Sequence, residues 1–139
     1  MSTNKILISG LVAGIVAFFV GWIIWVMILG GMSESFAGTA TGVSRGEDEM
    51  IWWALVLGNL LMGLLYAYIF GRWANITNPV TGAKAGAIIA LIMAGAFDFI
   101  MYATTNISNL NGVIVDIIVS AVASAIVGAV AAWMLGRGN

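Results

Sequence analysis

The sequence predicts an all-α membrane protein, a bundle of four transmembrane helices in one domain that covers residues 1–139. Hydrophobic residues make up 62% of the chain and charged residues only 8%, whereas soluble domains carry roughly 25% charged residues. The apolar residues are gathered into stretches of bilayer length, which are typical of spanning helices. A chain of this composition cannot cover itself with a water-facing surface, so the lipid bilayer is its expected surroundings.

Four apolar segments are each long enough to cross a bilayer, for which roughly 20 residues suffice. They run over about residues 6–30, 50–71, 82–105 and 112–135. The first is too long for a signal-peptide core and lacks a small-residue cleavage site at its end, so we expect it to be retained. The third and fourth are joined by so few residues that they must form an antiparallel hairpin. The run that begins at Asn78 and Pro79 predicts a turn followed by a helix start.

The basic residues predict the orientation of the four spans. Arg45 falls alone on one side of a four-span topology, and the other side carries Lys5, Arg72, Lys84 and Arg137. Because positive charge is retained on the inner face of a membrane, both termini and the second loop are predicted to be cytoplasmic. The tryptophans near the ends of the spans agree with this arrangement, since tryptophan is enriched at both interfaces.

Small residues recur every four positions on the third and fourth spans, so they line one face of each helix. The two stripes are Gly82, Gly86, Ala90 and Ala94, and then Gly112, Asp116, Ser120, Ser124, Gly128, Ala132 and Gly136. Such stripes allow membrane helices to approach closely, either within one bundle or between copies of the chain. Packing within one bundle is favoured, because each helix has neighbours in the same chain. A homo-oligomer or a larger membrane complex is also expected, since a chain this small buries little surface.

Polar side chains inside the apolar spans form the candidate functional site. Asp98 is the most informative, because a carboxylate at the bilayer centre costs about 3 kcal/mol or more. No lysine or arginine lies deep in any span, so Asp98 is expected to be protonated or hydrogen-bonded. The candidate intramembrane site consists of Asn59, Asp98, Tyr102, Thr105, Asn106, Asp116 and Ser120.

Three interpretations of Asp98 are open at this point. It is the inner end of a polar relay or binding site that opens to the outside, or it meets a partner subunit. In the third interpretation it locks the helices together through hydrogen bonds, with Asn59, Tyr102 or Ser120 as the partner. The run from Tyr102 to Asn106 also has a simpler explanation, since threonine and asparagine cap helix ends and form turns.

Several classes of function lack the residues that they need. The chain has no cysteine and no histidine, which removes thiol chemistry, the commonest metal ligand and the serine–histidine triad. No metal-ligand spacing, phosphate loop or nucleophile motif appears, so we expect no metal, no cofactor and no enzymatic activity. The absence of a basic patch makes nucleic acid a poor candidate for a partner.

Long runs of the sequence resemble a family of small, functionally uncharacterised bacterial membrane proteins with four predicted spans, and versions from Bacteroidota are the most similar. The runs that carry the resemblance are GIVAFFVGWIIW, TATGV, ALVLGNLLMGLLYAYIF, GAIIALIMAGAFDFIMYATTN and VDIIVS. They cover nearly the whole chain, and most of the signal lies in its polar letters, which are Asn59, Asp98, Tyr102, Asn106 and Asp116. The resemblance implies a multi-pass protein of the inner (plasma) membrane, and it implies no activity, ligand or site residue.

Two functions are compatible with these observations. Short loops and the lack of a soluble domain favour a non-enzymatic accessory or structural subunit of a membrane assembly or homo-oligomer. The alternative is a small channel or transporter for a proton, an ion or a small polar solute, with Asp98 and Asp116 in its path.

Overall fold

Four long helices cross back and forth in the computed structural model, which describes residues 1–137. The helices are α1 (Thr3–Trp22, continued by a π-helix over Ile23–Ile28), α2 (Ser33–Phe36, preceded by a 3₁₀ turn over Gly30–Met32), α3 (Trp52–Tyr68, continued by a π-helix over Ile69–Ala74), α4 (Pro79–Thr104) and α5 (Leu110–Gly136). All but α2 are long and apolar enough to cross a membrane. The predicted all-α bundle of four spans is confirmed, and the chain is an integral, multi-pass membrane protein.

Local sequence signals set the turn between α3 and α4. Asn75 ends the π-helical extension of α3 with a φ of 50°, a left-handed conformation that asparagine tolerates better than most residues. The side chain of Asn78 then accepts hydrogen bonds from the amides of Val80, at 2.9 Å, and Thr81, at 3.2 Å. Pro79 follows at the first helical position, where it has no amide hydrogen to leave unpaired. The predicted turn and helix start are confirmed.

The helices pack as two antiparallel hairpins, α1 with α3 and α4 with α5. Small residues make both interfaces possible, because a Cβ on Gly63 would collide with the backbone nitrogen of Gly14. In the same way, a Cβ on Gly86 would collide with the backbone oxygen of Ser124. The close approach that the stripes predict is therefore made inside one chain. The helix α5 also packs against α1 and α3, whereas α4 has close contact chiefly with α5.

Met1 and Arg137, the first and last residues that the structure describes, lie at one end of the bundle, which we call the terminal end. Lys5 Nζ donates a hydrogen bond to the carbonyl of Arg137 at 2.7 Å. The guanidinium of Arg72, at the end of α3, donates to the carbonyl of Met1 and to the hydroxyl of Thr3. The start of α1 and the ends of α3 and α5 are thus held together, as an even number of spans requires.

The half of the bundle nearest the terminal end is tightly packed. Its core comes from α1, α3 and α5 and consists of Ile6, Ala13, Tyr66, Ala67, Phe70, Val127, Ala131, Ala132 and Leu135. The rings of Tyr66 and Phe70 lie 6.0 Å apart and are almost completely buried. The helix α4 adds only partly buried side chains to this core.

The opposite end, which we call the loop end, is covered by the first and third loops, and these two loops are paired. Ala37 and Ser108 form an isolated antiparallel β-bridge, and the amide of Gly38 donates to the carbonyl of Ile107 at 2.9 Å. Nothing in the sequence indicates this link, because the first loop lacks the alternating apolar pattern of a strand.

Asn109 joins the paired loops to the start of α5. Its side-chain oxygen accepts a hydrogen bond from the amide of Gly112 at 2.8 Å, as an N-cap does. Its side-chain nitrogen donates to the carbonyl of Ser35 at 2.7 Å, and its backbone amide donates to the carbonyl of Phe36 at 3.0 Å. These bonds hold α2 against the end of the α4–α5 hairpin.

Candidate functional site

The half of the bundle nearest the loop end is hollow. A cavity of about 390 Å³, which we call the central cavity, is lined by α1, α3, α4 and α5 and separates α4 from the first hairpin. Its polar lining residues are Asn59, Tyr66, Asp98, Asp116, Ser120 and Ser124. The remaining walls are apolar or aromatic. A cavity of this size lies in the range of small-molecule sites, roughly 300–1,000 Å³.

Asp98 and Asp116 face each other across the α4–α5 hairpin, close enough for one carboxyl group to hydrogen-bond to the other. Each lies six residues from the loop end of its helix, roughly 9 Å into the bundle. The Oδ2 atom of Asp98 is buried and has no hydrogen-bond partner within residues 1–137. Two carboxylates in contact inside an apolar bundle repel each other, so the pair must hold a proton or a cation.

The predicted hydrogen bonds from Asp98 to Asn59, Tyr102 or Ser120 are absent among the described residues. Asn59 reaches a similar depth, but its side-chain nitrogen donates to the carbonyl of Leu55 on its own helix at 2.9 Å. Neither Tyr102 nor Ser120 donates to the buried oxygen of Asp98. The group that Asp98 meets is the second acid, Asp116, which lies on the small-residue stripe of α5.

A second cavity, which we call the loop cavity, extends from the acid pair to the paired loops and has a volume of about 440 Å³. Asp98, Asp116, Trp25 and Phe97 line both the central and the loop cavity. Phe36, on α2, lines the loop cavity near its far end. A solute that moved from the loop end towards the middle of the bundle would therefore pass the two carboxyl groups.

The other predicted site residues fall into two groups. Tyr102 and Thr105 line the loop cavity, although the hydroxyl of Thr105 donates back to the carbonyl of Met101 on its own helix at 2.7 Å. Asn106 belongs to the loop pairing, where its carbonyl accepts a hydrogen bond from the amide of Ala40 at 3.0 Å. The simpler explanation of this run, as the end of a helix, fits Thr105 and Asn106.

Tyr66 is a further candidate, and it is absent from the predicted site. It is 1% exposed and lines the central cavity. Its hydroxyl lies beside Ser124 but makes no hydrogen bond with a described residue. Because a buried hydroxyl without a partner costs about 1–3 kcal/mol, a polar group that enters the cavity would be stabilised there. The available signal was a tyrosine in an apolar span, where a phenylalanine would serve for packing.

Trp25 is a second residue whose position the sequence did not reveal. A tryptophan near the end of a span is expected at the membrane interface, and Trp25, in the π-helical part of α1, also lines three cavities. The third, which we call the side cavity, has a volume of about 360 Å³ and lies between α1 and α3. Short π-helical segments are frequent at functional sites. Trp25 therefore belongs to the candidate site.

No protein-family model, no curated protein and no solved structure matches this chain. The chemistry of the site is therefore the guide to its function. Two facing carboxyl groups beside aromatic side chains can hold a proton or a cation. Within residues 1–137, no group of three or more acidic side chains is available to hold a metal ion.

Proposed function

We propose that this membrane protein binds a small cation at the Asp98–Asp116 pair and carries it across the bilayer. One observation supports the proposal above the others, namely that the two facing carboxyl groups lie where the central and loop cavities meet. Acids inside membrane spans are costly, and they mark ion and proton pathways when they face a cavity. The proposed cation is a proton, an inorganic cation or a protonated solute.

The packing of the terminal half favours a transporter over a channel. The central cavity ends at Tyr66 and Val127, and beyond them Phe70 and Leu135 are almost completely buried. A cation that reaches the acid pair from the loop end therefore meets a closed core. Passage to the terminal end requires the helices around this core to separate, as in alternating access.

A transport assay tests the proposed function. The full chain is reconstituted into vesicles that hold a pH-sensitive dye, with the membrane potential clamped by a potassium ionophore. We expect proton flux, rubidium uptake or 2-phenylethylammonium uptake at several times the rate in protein-free vesicles. The proposal is wrong if all three rates equal those of the protein-free vesicles.

We also propose that the terminal end faces the cytoplasm of a bacterial inner membrane, as the basic residues and the family resemblance suggest. Lys5, Arg72 and Arg137 lie at the terminal end, and Lys84 is in the second turn of α4. Arg45 lies at the loop end, where its guanidinium donates to the carbonyl of Glu49. An excess of basic residues supports a cytoplasmic position for the terminal end.

Single cysteines test this orientation cleanly, because the chain has none of its own. A cysteine in place of Ser44, in the exposed first loop, should react with an impermeant maleimide added to intact cells. A cysteine in place of Thr77, in the exposed second loop, should react only after the membrane is permeabilised. The opposite labelling pattern would reverse the orientation.

The accessory or structural subunit that the sequence favours is the second candidate. One observation supports it, since α4 packs chiefly against α5 and a Cβ on Gly95 would meet only open space. A second copy or another subunit could cover this side of α4 instead of lipid. Native mass spectrometry from lipid nanodiscs tests this candidate. A strictly monomeric protein without bound partners would rule out the subunit role.

A further inference from the structure

We infer that the central cavity binds a monovalent organic ammonium ion, and that this ion enters in exchange for a proton. The inference rests on the proposed function and names the ligand class of the same site. It combines the shape and lining of the cavity, the charge of the acid pair and the unpartnered hydroxyl of Tyr66.

The lining of the cavity favours an organic cation over a metal ion. Hard metal ions require six or more oxygen ligands in a compact shell, whereas here only Asp98 and Asp116 offer carboxylate oxygens. Trp25 and Phe97 line the same junction, and aromatic faces attract ammonium groups. A volume of about 390 Å³ also exceeds what a bare ion fills and suits a molecule.

The far side of the cavity indicates a ligand with a polar group at its other end. From Asp116 to Ser124 the helix α5 advances eight residues, roughly 12 Å. The hydroxyl of Tyr66 lies beside Ser124, is almost completely buried and has no hydrogen-bond partner among the described residues. The unpartnered hydroxyl of Tyr66 is an observation independent of the acid pair. A ligand that places its ammonium at the carboxyl groups would bring its far end to this hydroxyl.

Charge balance gives the exchange of one ammonium for one proton. Two carboxylates in contact repel each other, so the empty pair holds one proton between its two carboxyl groups. One bound ammonium takes the place of this proton, which leaves to water. The charge of the site is therefore the same before and after binding. Apart from the acids, the titratable groups facing the two cavities are Tyr66 from α3 and Tyr102 on α4, and α1 supplies none.

Calorimetric titration of the full chain in detergent tests the inference. The probes are 2-phenylethylammonium and 2-(4-hydroxyphenyl)ethylammonium, each titrated in two buffers that differ in ionisation enthalpy. We expect one bound ion per chain and about one proton released per ion, read from the difference between the buffers. Binding without proton release would overturn the exchange. Equal competition by rubidium would overturn the ligand class.

Two matched tyrosine variants of α3 test the position of the ligand. Tyr66→Phe removes the unpartnered hydroxyl and keeps the ring, whereas Tyr68→Phe removes a hydroxyl outside the central cavity. We expect Tyr66→Phe to weaken binding of the hydroxylated probe about five- to ten-fold, the effect of one hydrogen bond. Its affinity for 2-phenylethylammonium should stay unchanged, and Tyr68→Phe should affect neither probe. Equal effects of the two variants would remove Tyr66 from the site.

Failure of the inferred ligand class and failure of the proposed transport function give different results. If neither ammonium binds while protons or rubidium still cross the membrane, the ligand class is wrong and the proposed function stands. If the ammonium probes bind at the expected site but nothing crosses the membrane, the inferred ligand stands and the transport function is wrong.

Discussion

Asp98→Asn should fold normally and reduce proton flux and 2-phenylethylammonium uptake at least ten-fold. Asparagine has a similar size and can donate a hydrogen bond from its amide to the carboxyl group of Asp116, so the α4–α5 hairpin keeps its contact. The variant has a single acid where the wild type has two. Neither a proton nor an ammonium ion can then be held between two carboxyl groups, and the amide hydrogen that replaces the shared proton cannot leave. Vesicle flux and thermal unfolding, measured on the same preparation, check this prediction.

Two further variants make the result decisive. Asp116→Asn changes the other acid of the pair and should lose transport to a similar extent. Asp48→Asn removes an exposed acid of the first loop and should keep wild-type flux. If Asp98→Asn and Asp116→Asn both fold and both transport at the wild-type rate, the acid pair is not on the path. If transport is lost only together with folding, the pair is structural.

Gly63→Ala should be the most disruptive small substitution in the first hairpin. The new Cβ would collide with the backbone nitrogen of Gly14 and the backbone oxygen of Gly10, and no side-chain rotation relieves a collision with backbone atoms. Overpacking of this kind costs about 1–3 kcal/mol. We therefore expect the unfolding temperature in detergent to fall by roughly 5–10 °C, as measured by circular dichroism.

Gly58→Ala is the matched control, since Gly58 lies on the same helix and a Cβ there would meet nothing within 4 Å. Alanine is also the better helix former, so this variant should keep or slightly raise the unfolding temperature. Similar unfolding temperatures for Gly63→Ala and Gly58→Ala would contradict the close contact between α1 and α3.

The four long helices could be predicted because apolar stretches of bilayer length are a strong and local signal. The predicted ends of the helices were less accurate. The third span begins at Pro79, three residues before the predicted start at Gly82. The start of this helix depends on Asn78, and hydropathy does not register the capping bonds of that residue. Pairing of the first and third loops was missed, because one isolated β-bridge leaves no periodic pattern.

The acids of the site could be selected from the sequence, because an aspartate within an apolar span is rare and costly. Their contact could not be predicted, since it depends on the register in which Gly82 and Gly86 interlock with the stripe of α5. A shift of one helical turn would separate the carboxyl groups by roughly 5 Å. The cavity was equally hidden, because it results from the limited contact of α4 with the first hairpin.

The link between the first and third loops sets an order of events during synthesis. The segment that carries Ala37 leaves the ribosome about 70 residues before its bridge partner Ser108, so it must wait, unpaired, until both helices of the second hairpin are in place. Asp98 likewise precedes Asp116, and a lone acid in lipid costs about 3 kcal/mol. Joint insertion of α4 and α5 avoids that intermediate. Closure of the loop end therefore follows insertion of the second hairpin.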